Sequence, residues 1–294
     1  MRERRRGRAV RADNAVTAFT AGLSILVLPF LIIASCLLYV APANTEQHFA
    51  WTIEPGVTAM YLASAYLGGV WFFGNVLRVR QWHRVRHGFP AVLVFAGLLA
   101  AATALHWDRF HAGHVSFLAW TALYITTPFL VGAALVLQAG SDPGKPAQRD
   151  TVIPAGWRIA LAVLGLLSMG VGVVLFLVPT LGLDTWAWPL TPLTARVLGA
   201  TLTLPGMVNV WLLIDVRWSA FRILFQAQMV SLGFILVALA LSWSQLDFSR
   251  VAAWLLPPGL LVTLLLYALV YGVCEMRMRR HLPGTEPPVN PRAV

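Results

Sequence analysis

Read for polarity, the chain alternates long apolar blocks with short polar interruptions. Eight blocks approach or exceed the length a membrane helix needs. A helix rises about 1.5 Å per residue, so about 20 mainly apolar residues cross a hydrocarbon core of about 30 Å. The blocks fall at about 21–41, 56–77, 89–105, 115–137, 159–178, 193–214, 221–241 and 251–274. The third is the shortest, and its length alone also fits a buried core helix. The arginines before it and Trp107 after it mark membrane boundaries instead. The pattern predicts an all-α polytopic membrane protein of eight transmembrane helices, with no room for a separate soluble domain.

The first block has some features of a secretory leader: a basic start, "IASC" ending at Cys36, and "APA" at 41–43. Its apolar run is longer than a typical leader core, and apolar residues still follow Cys36, so the expectation is a retained helix.

A second pattern overlies the first. "HFAWTIEPGVTAMYLA" at 48–63 returns as "TWAWPLTPLTARVLGA" at 185–200. Pro42, Ala50 and Trp51 match Pro179, Ala187 and Trp188 at an offset of 137 residues. After the motif the offset is 136: Thr58-Ala59 matches Thr194-Ala195, Trp82 matches Trp218, Gly97 matches Gly233, and Trp107 matches Trp243. Leu and Ala coincide easily in apolar sequence, whereas Trp and Pro in register do not. The expected organisation is a tandem duplication of a four-helix unit, 21–137 and 159–274, joined by a Gly-, Pro- and charge-rich linker, 138–158. Basic segments flank it, 1–20 and 275–294. Four spans per copy is an even number, so the copies are expected to lie parallel, related by a pseudo-two-fold axis along the membrane normal.

Composition adds an orientation. Of 294 residues 58% are hydrophobic and 12% charged, and the net charge is +10. With a cytoplasmic amino terminus, 19 of the 22 Lys and Arg residues fall on the inner side, leaving Arg109, Arg196 and Arg250 outside. This is the positive-inside bias. It predicts cytoplasmic termini, membrane lipids as partners with anionic head groups at the basic face, and no nucleic acid. Lys145 is the only lysine, a usage that suits a GC-rich bacterial genome and hence a bacterial cytoplasmic membrane. Cys36 and Cys274 fall near opposite faces, too far apart for a disulfide.

Candidate chemistry is sparse. No nucleophile–base set, phosphate-cradling glycine loop or carboxylate pair is present, so no catalytic residue is assigned. No ionisable residue sits mid-span, where an ion-coupled transporter would commonly keep one. Thr-rich stretches with Pro128 and Pro205 lie within spans, Gly68-Gly69, Gly170 and Gly172 read as packing surfaces, and Pro257-Pro258 is expected to bend or break the last span. The leading expectation is a transporter or permease with a cavity between the repeats. Its outer mouth would lie near Trp51, Glu54, Trp188, Thr191 and Arg196, with Glu54 and Arg196 as an ion pair. The alternative is a membrane enzyme or metal-dependent factor. Its divalent metal would sit among His48, His106, Asp108, His111 and His114, since imidazole and carboxylate together suit such an ion. The spacing H-x4-H-x2-H matches no established metal signature. A third reading is a scaffold subunit of a complex, or a homo-oligomer.

Overall fold

The computed structural model describes residues 14–142, 144 and 150–280, so most of the two basic termini and part of the linker lie outside the described residues. Among the described residues ten α-helices follow one another: α1 (Ala18–Val40), α2 (Thr45–His48), α3 (Gly56–Val79), α4 (Gly88–Leu105), α5 (Val115–Leu137), α6 (Ala155–Leu177), α7 (Pro179–Thr185), α8 (Pro192–Asn209), α9 (Trp218–Leu241) and α10 (Val251–Arg280). Eight are long and apolar enough to cross a membrane, α8 continuing through a 3-10 turn to Leu213; α2 and α7 are the two short ones. The protein is thus a multi-pass helical membrane protein. In hydrocarbon every backbone polar group must be satisfied internally, which the helices do. Their even number puts Asn14 and Arg280 on one face, called here the basic face, together with the α3–α4, α5–α6 and α8–α9 connections.

Local chemistry sets the ends of the spans. Thr17 caps α1 by accepting from Thr20 N. Thr191 caps α8 through a reciprocal box with Thr194, and Pro192 occupies the first turn, where its missing N–H costs little. Arg80 closes α3 in the left-handed region at φ 51. Pro29, Pro128 and Pro205 are accommodated within α1, α5 and α8. Pro257 and Pro258 are accommodated too: of the expected bend or break, the break does not occur, since α10 runs unbroken through them.

Between apolar helices in lipid there is no hydrophobic drive, so close contact and hydrogen bonds hold the bundle. The α6–α8 seam is built on glycine. A Cβ on Gly172 would stand 2.5 Å from the carbonyl oxygen of Gly199, and one on Gly206 would stand 2.4 Å from Met169 Cβ. Gly68 lets α3 meet Ser231 and Ala227 of α9 in the same manner. Gly170 faces open space and packs nothing, unlike the expectation for it. The centre is formed by α3 against α9 and α4 against α8, while α10 packs mainly on α9. Accordingly 67% of the apolar window of α3 is buried, against 17% for α10.

Contacts recur along the chain at the sequence offset. Trp82 N donates to Asn14 O (2.8 Å), and Trp218 N to Thr151 O (2.9 Å). Val16 N donates to Arg80 O and Ile153 N to Val216 O, both 3.0 Å. On the far face His111 N donates to Ala50 O and Asp247 N to Ala187 O, both 2.8 Å. The α3–α9 and α4–α8 packings exchange under the same offset.

Candidate intramembrane site

The bundle encloses a cavity of about 580 Å³ to which all eight spans contribute. That is within the usual range for small-molecule sites. No Asp, Glu, Lys, Arg or His lines it. Most lining Ser and Thr hydroxyls are spent on carbonyls: Ser231 Oγ donates to Ser64 O (2.9 Å), Ser168 Oγ to Leu202 O (2.9 Å), Thr263 Oγ1 to Gly259 O (2.7 Å) and Thr201 Oγ1 to Leu198 O (2.7 Å). The surface left is oily.

Two polar groupings interrupt it. In the first four spans Tyr124 OH donates to Tyr66 OH at 2.8 Å, both rings buried. In the last four, Asn209, Gln228 and Tyr267 form a closed set: Asn209 Nδ2 donates to Tyr267 OH (2.6 Å), Gln228 Nε2 to Asn209 Oδ1 (3.2 Å), and Tyr267 OH to Gln228 Oε1. Buried polar groups without such partners would cost several kcal/mol in hydrocarbon. Among the described residues, Trp186 contributes the lining's one buried side-chain polar atom without a protein partner, its indole Nε1–H.

The two ends of the cavity differ. At the basic face Arg217 Nη2 stands 2.6 Å from both Asp142 Oδ2 and Asp215 Oδ2, and Arg86 Nη1 stands 2.7 Å from Asp142 Oδ2. His87 lies between Trp211 and Phe221, each ring centroid 5.1 Å away, and its Nε2–H donates to Asp215 Oδ2 at 2.9 Å. Burial opposes ionisation of Asp142, yet the Arg217 hydrogen bonds, the Gly144 N–H and Arg86 bring its pKa down to about 2. Asp215, burdened by burial too, is held lower still by Arg217 and His87. Burial lowers His87, with the Asp215 hydrogen bond opposing. Since Arg86, His87 and Asp142 precede α6 and Asp215 and Arg217 follow it, this network clasps the two sets of four spans together.

At the far face uncharged groups and Arg196 make the contacts between the halves. Trp188 Nε1–H donates to Thr58 Oγ1 (2.8 Å), and Val57 N, at the start of α3, donates to Gln245 Oε1 (2.9 Å). Trp51 is packed edge-on to Trp120 at 4.6 Å and beside Phe110 at 5.2 Å.

The residues expected at an outer mouth are therefore placed otherwise. Trp51 and Trp188 are buried, Glu54 and Thr191 are exposed, and none of these four nor Arg196 lines the cavity. Arg196 does not pair with Glu54: its Nη1 donates to His106 Nε2 at 2.5 Å. Burial, then Arg196, keeps the His106 pKa low. His111 Nε2 meets Thr52 Oγ1 at 3.2 Å and its ring lies 5.0 Å from that of His114. Asp108 pairs with Arg109 at 3.3 Å, and His48 is exposed. Among the described residues no three His, Cys, Asp or Glu side chains converge as metal ligands, so the five residues proposed for a divalent ion are not brought together.

Tyr124 and Asn209 fall in the Thr-rich stretches noted in the sequence, whereas Tyr66, Gln228, Tyr267 and the basic clasp went unread there, although a signal for the cavity residues existed. At the repeat offset Tyr66 and Tyr124 face Leu202 and Leu260, while Asn209, Gln228 and Tyr267 face Phe73, Val92 and Val131. Each half is polar where the other is apolar. No family model, curated protein or solved structure matches the chain.

Proposed function

We propose that the protein is a permease-type transporter for uncharged, lipid-like amphiphiles, working in a bacterial cytoplasmic membrane with both termini in the cytoplasm. We propose also that it arose by tandem duplication of a four-span unit, the copies lying parallel. The recurrence of backbone hydrogen bonds at offsets of 136 and 137 residues supports the duplication. The excess of arginine on one face supports the orientation.

The observation that carries the transport reading is the cavity shared by all eight spans and free of charged side chains. A charged cargo would leave water for a surface that offers it no counter-charge, at a cost of several kcal/mol. An apolar or neutral cargo meets no such penalty. Without a carboxylate, histidine, lysine or arginine in the lining, no group that titrates near neutral pH couples movement to protons there, and the transport is read as downhill. An ionic clasp at one face and a tryptophan–threonine clasp at the other give two places where the halves can part separately, as alternating access requires.

The test is flux. Proteoliposomes carrying a neutral NBD-labelled glycolipid are treated with dithionite, which bleaches only the outer leaflet. Transport predicts loss of the protected inner-leaflet signal at a rate above that of protein-free vesicles. Equal rates with folded, incorporated protein would refute it.

A further inference from the structure

The cavity wall is sealed on one side and open on the other. On the sealed side α1 and α5 close around Phe30, whose ring lies 6.2 Å from Tyr66, 6.5 Å from Trp120 and 6.2 Å from Tyr124, edge-on or tilted. At the repeat offset these four aromatics are Leu167, Leu202, Leu256 and Leu260. All four leucines line the cavity. Their helices α6 and α10 barely touch, whereas α1 and α5 are packed together.

Between α6 and α10 runs an apolar crevice of about 500 Å³, edged by Val163, Pro258 and Val262. It shares Leu164, Leu167, Leu255, Gly259 and Thr263 with the cavity, so the two adjoin across these side chains. It lies at mid-helix, and Leu167 and Leu255 are 63% and 65% exposed to what surrounds the bundle, which at this depth is lipid. Its one hydroxyl, on Thr263, is already bonded to Gly259 O. A partner helix, about 10 Å across, could rest on the crevice but could not follow it inward, whereas a hydrocarbon chain can.

We propose that this crevice is a lateral portal by which an acyl chain of an uncharged membrane lipid enters the cavity from the bilayer. A head-group oxygen of the lipid accepts from Trp186 Nε1–H. The inference rests on the proposed transport of amphiphiles and names both the cargo's chemistry and its route. Leucine in place of aromatic rings opens one wall only, so entry is one-sided although the architecture is paired.

The experiment uses the whole chain in phosphatidylcholine nanodiscs containing a neutral glycolipid with a diazirine in its acyl chain. After irradiation, adducts are mapped by peptide mass spectrometry. Entry through the portal predicts adducts on 164–171 and 255–267 and on the interior residue Gln228. The variant L167F/L260Y, which copies the sealed wall, is expected to lower interior labelling about tenfold while labelling at lipid-facing Ile25 and Leu26 is unchanged. Trp186→Phe is expected to lower interior labelling about fivefold, as loss of one hydrogen bond does. Should the double variant lose its wild-type thermal midpoint, Leu260→Phe alone is used. Interior labelling indifferent to these substitutions overturns the portal. Flux that persists in a sealed variant removes the portal and keeps transport, whereas portal-dependent labelling without flux keeps the portal and removes transport.

Discussion

Asp215 shows how a residue's role escapes its sequence position. From sequence it ends a span and can simply reach the interface. In the fold it sits between Arg217, Arg86 and His87, and its side chain is only 7% exposed. Breaking a buried ion pair from one side costs about 3 kcal/mol, because the remaining charges stay buried. Asp215→Asn is therefore expected to lower the thermal midpoint in detergent at neutral pH. The network also sets an acid limit. Asp142 and Asp215 have folded pKa values below the usual 3.8, so the unfolded chain takes up their protons first. Their stabilisation is full above about pH 4 and drains away as pH falls toward 2. His87, lowered from 6.5, acts in the same direction at milder pH, since the folded state resists its protonation. Thermal midpoints of the wild type should fall on acidification below 6.5 and again below 4; those of Asp215→Asn should start lower and fall less. A wild-type midpoint flat from pH 7 to pH 3 would contradict the clasp.

At the scale of elements, the spans themselves were readable because hydropathy over about 20 residues is what a bilayer responds to. Even the 18-residue α4 is legible, and the helix ends agree within a few residues except at α10, which runs past the expected end at 274 to Arg280. What hydropathy does not encode is which small residues touch. Gly170 and Gly172 look alike in "SMGVGVV", yet only Gly172 meets a backbone, because helix rotation places the two on different faces. Gly172→Val is expected to cost about 1–3 kcal/mol by overpacking. Gly170→Val should leave the thermal midpoint within about 0.5 kcal/mol of wild type, as exposed positions do. Comparable losses at both would show that the α6–α8 seam is not where the coordinates put it. The prolines of α10 teach the same lesson: two adjacent prolines predict a break for an isolated helix, but here α10 continues through them beside the crevice.

For the whole molecule, the duplication we propose is suggested by Trp and Pro that keep register across about half of the chain, and backbone hydrogen bonds recur at the same offset. The site was not visible, because a cavity is made by what is absent between elements. Leu167, Leu202, Leu256 and Leu260 look unremarkable singly; they acquire meaning only opposite the aromatic set that occupies the matching positions. The residues expected at an outer mouth lie off the cavity lining for a related reason. Conspicuous residues such as Trp51 and Trp188 were conspicuous as packing, each filling its side of a far-face layer. The most direct test of the central claim, that an uncharged space between two four-span halves holds a lipid chain, is a cryo-EM map of the protein in lipid nanodiscs. The account predicts elongated density running from the bilayer between α6 and α10 toward Gln228 and Tyr267. A resolved map in which α6 and α10 close on each other and the space between the halves is filled by side chains would contradict it.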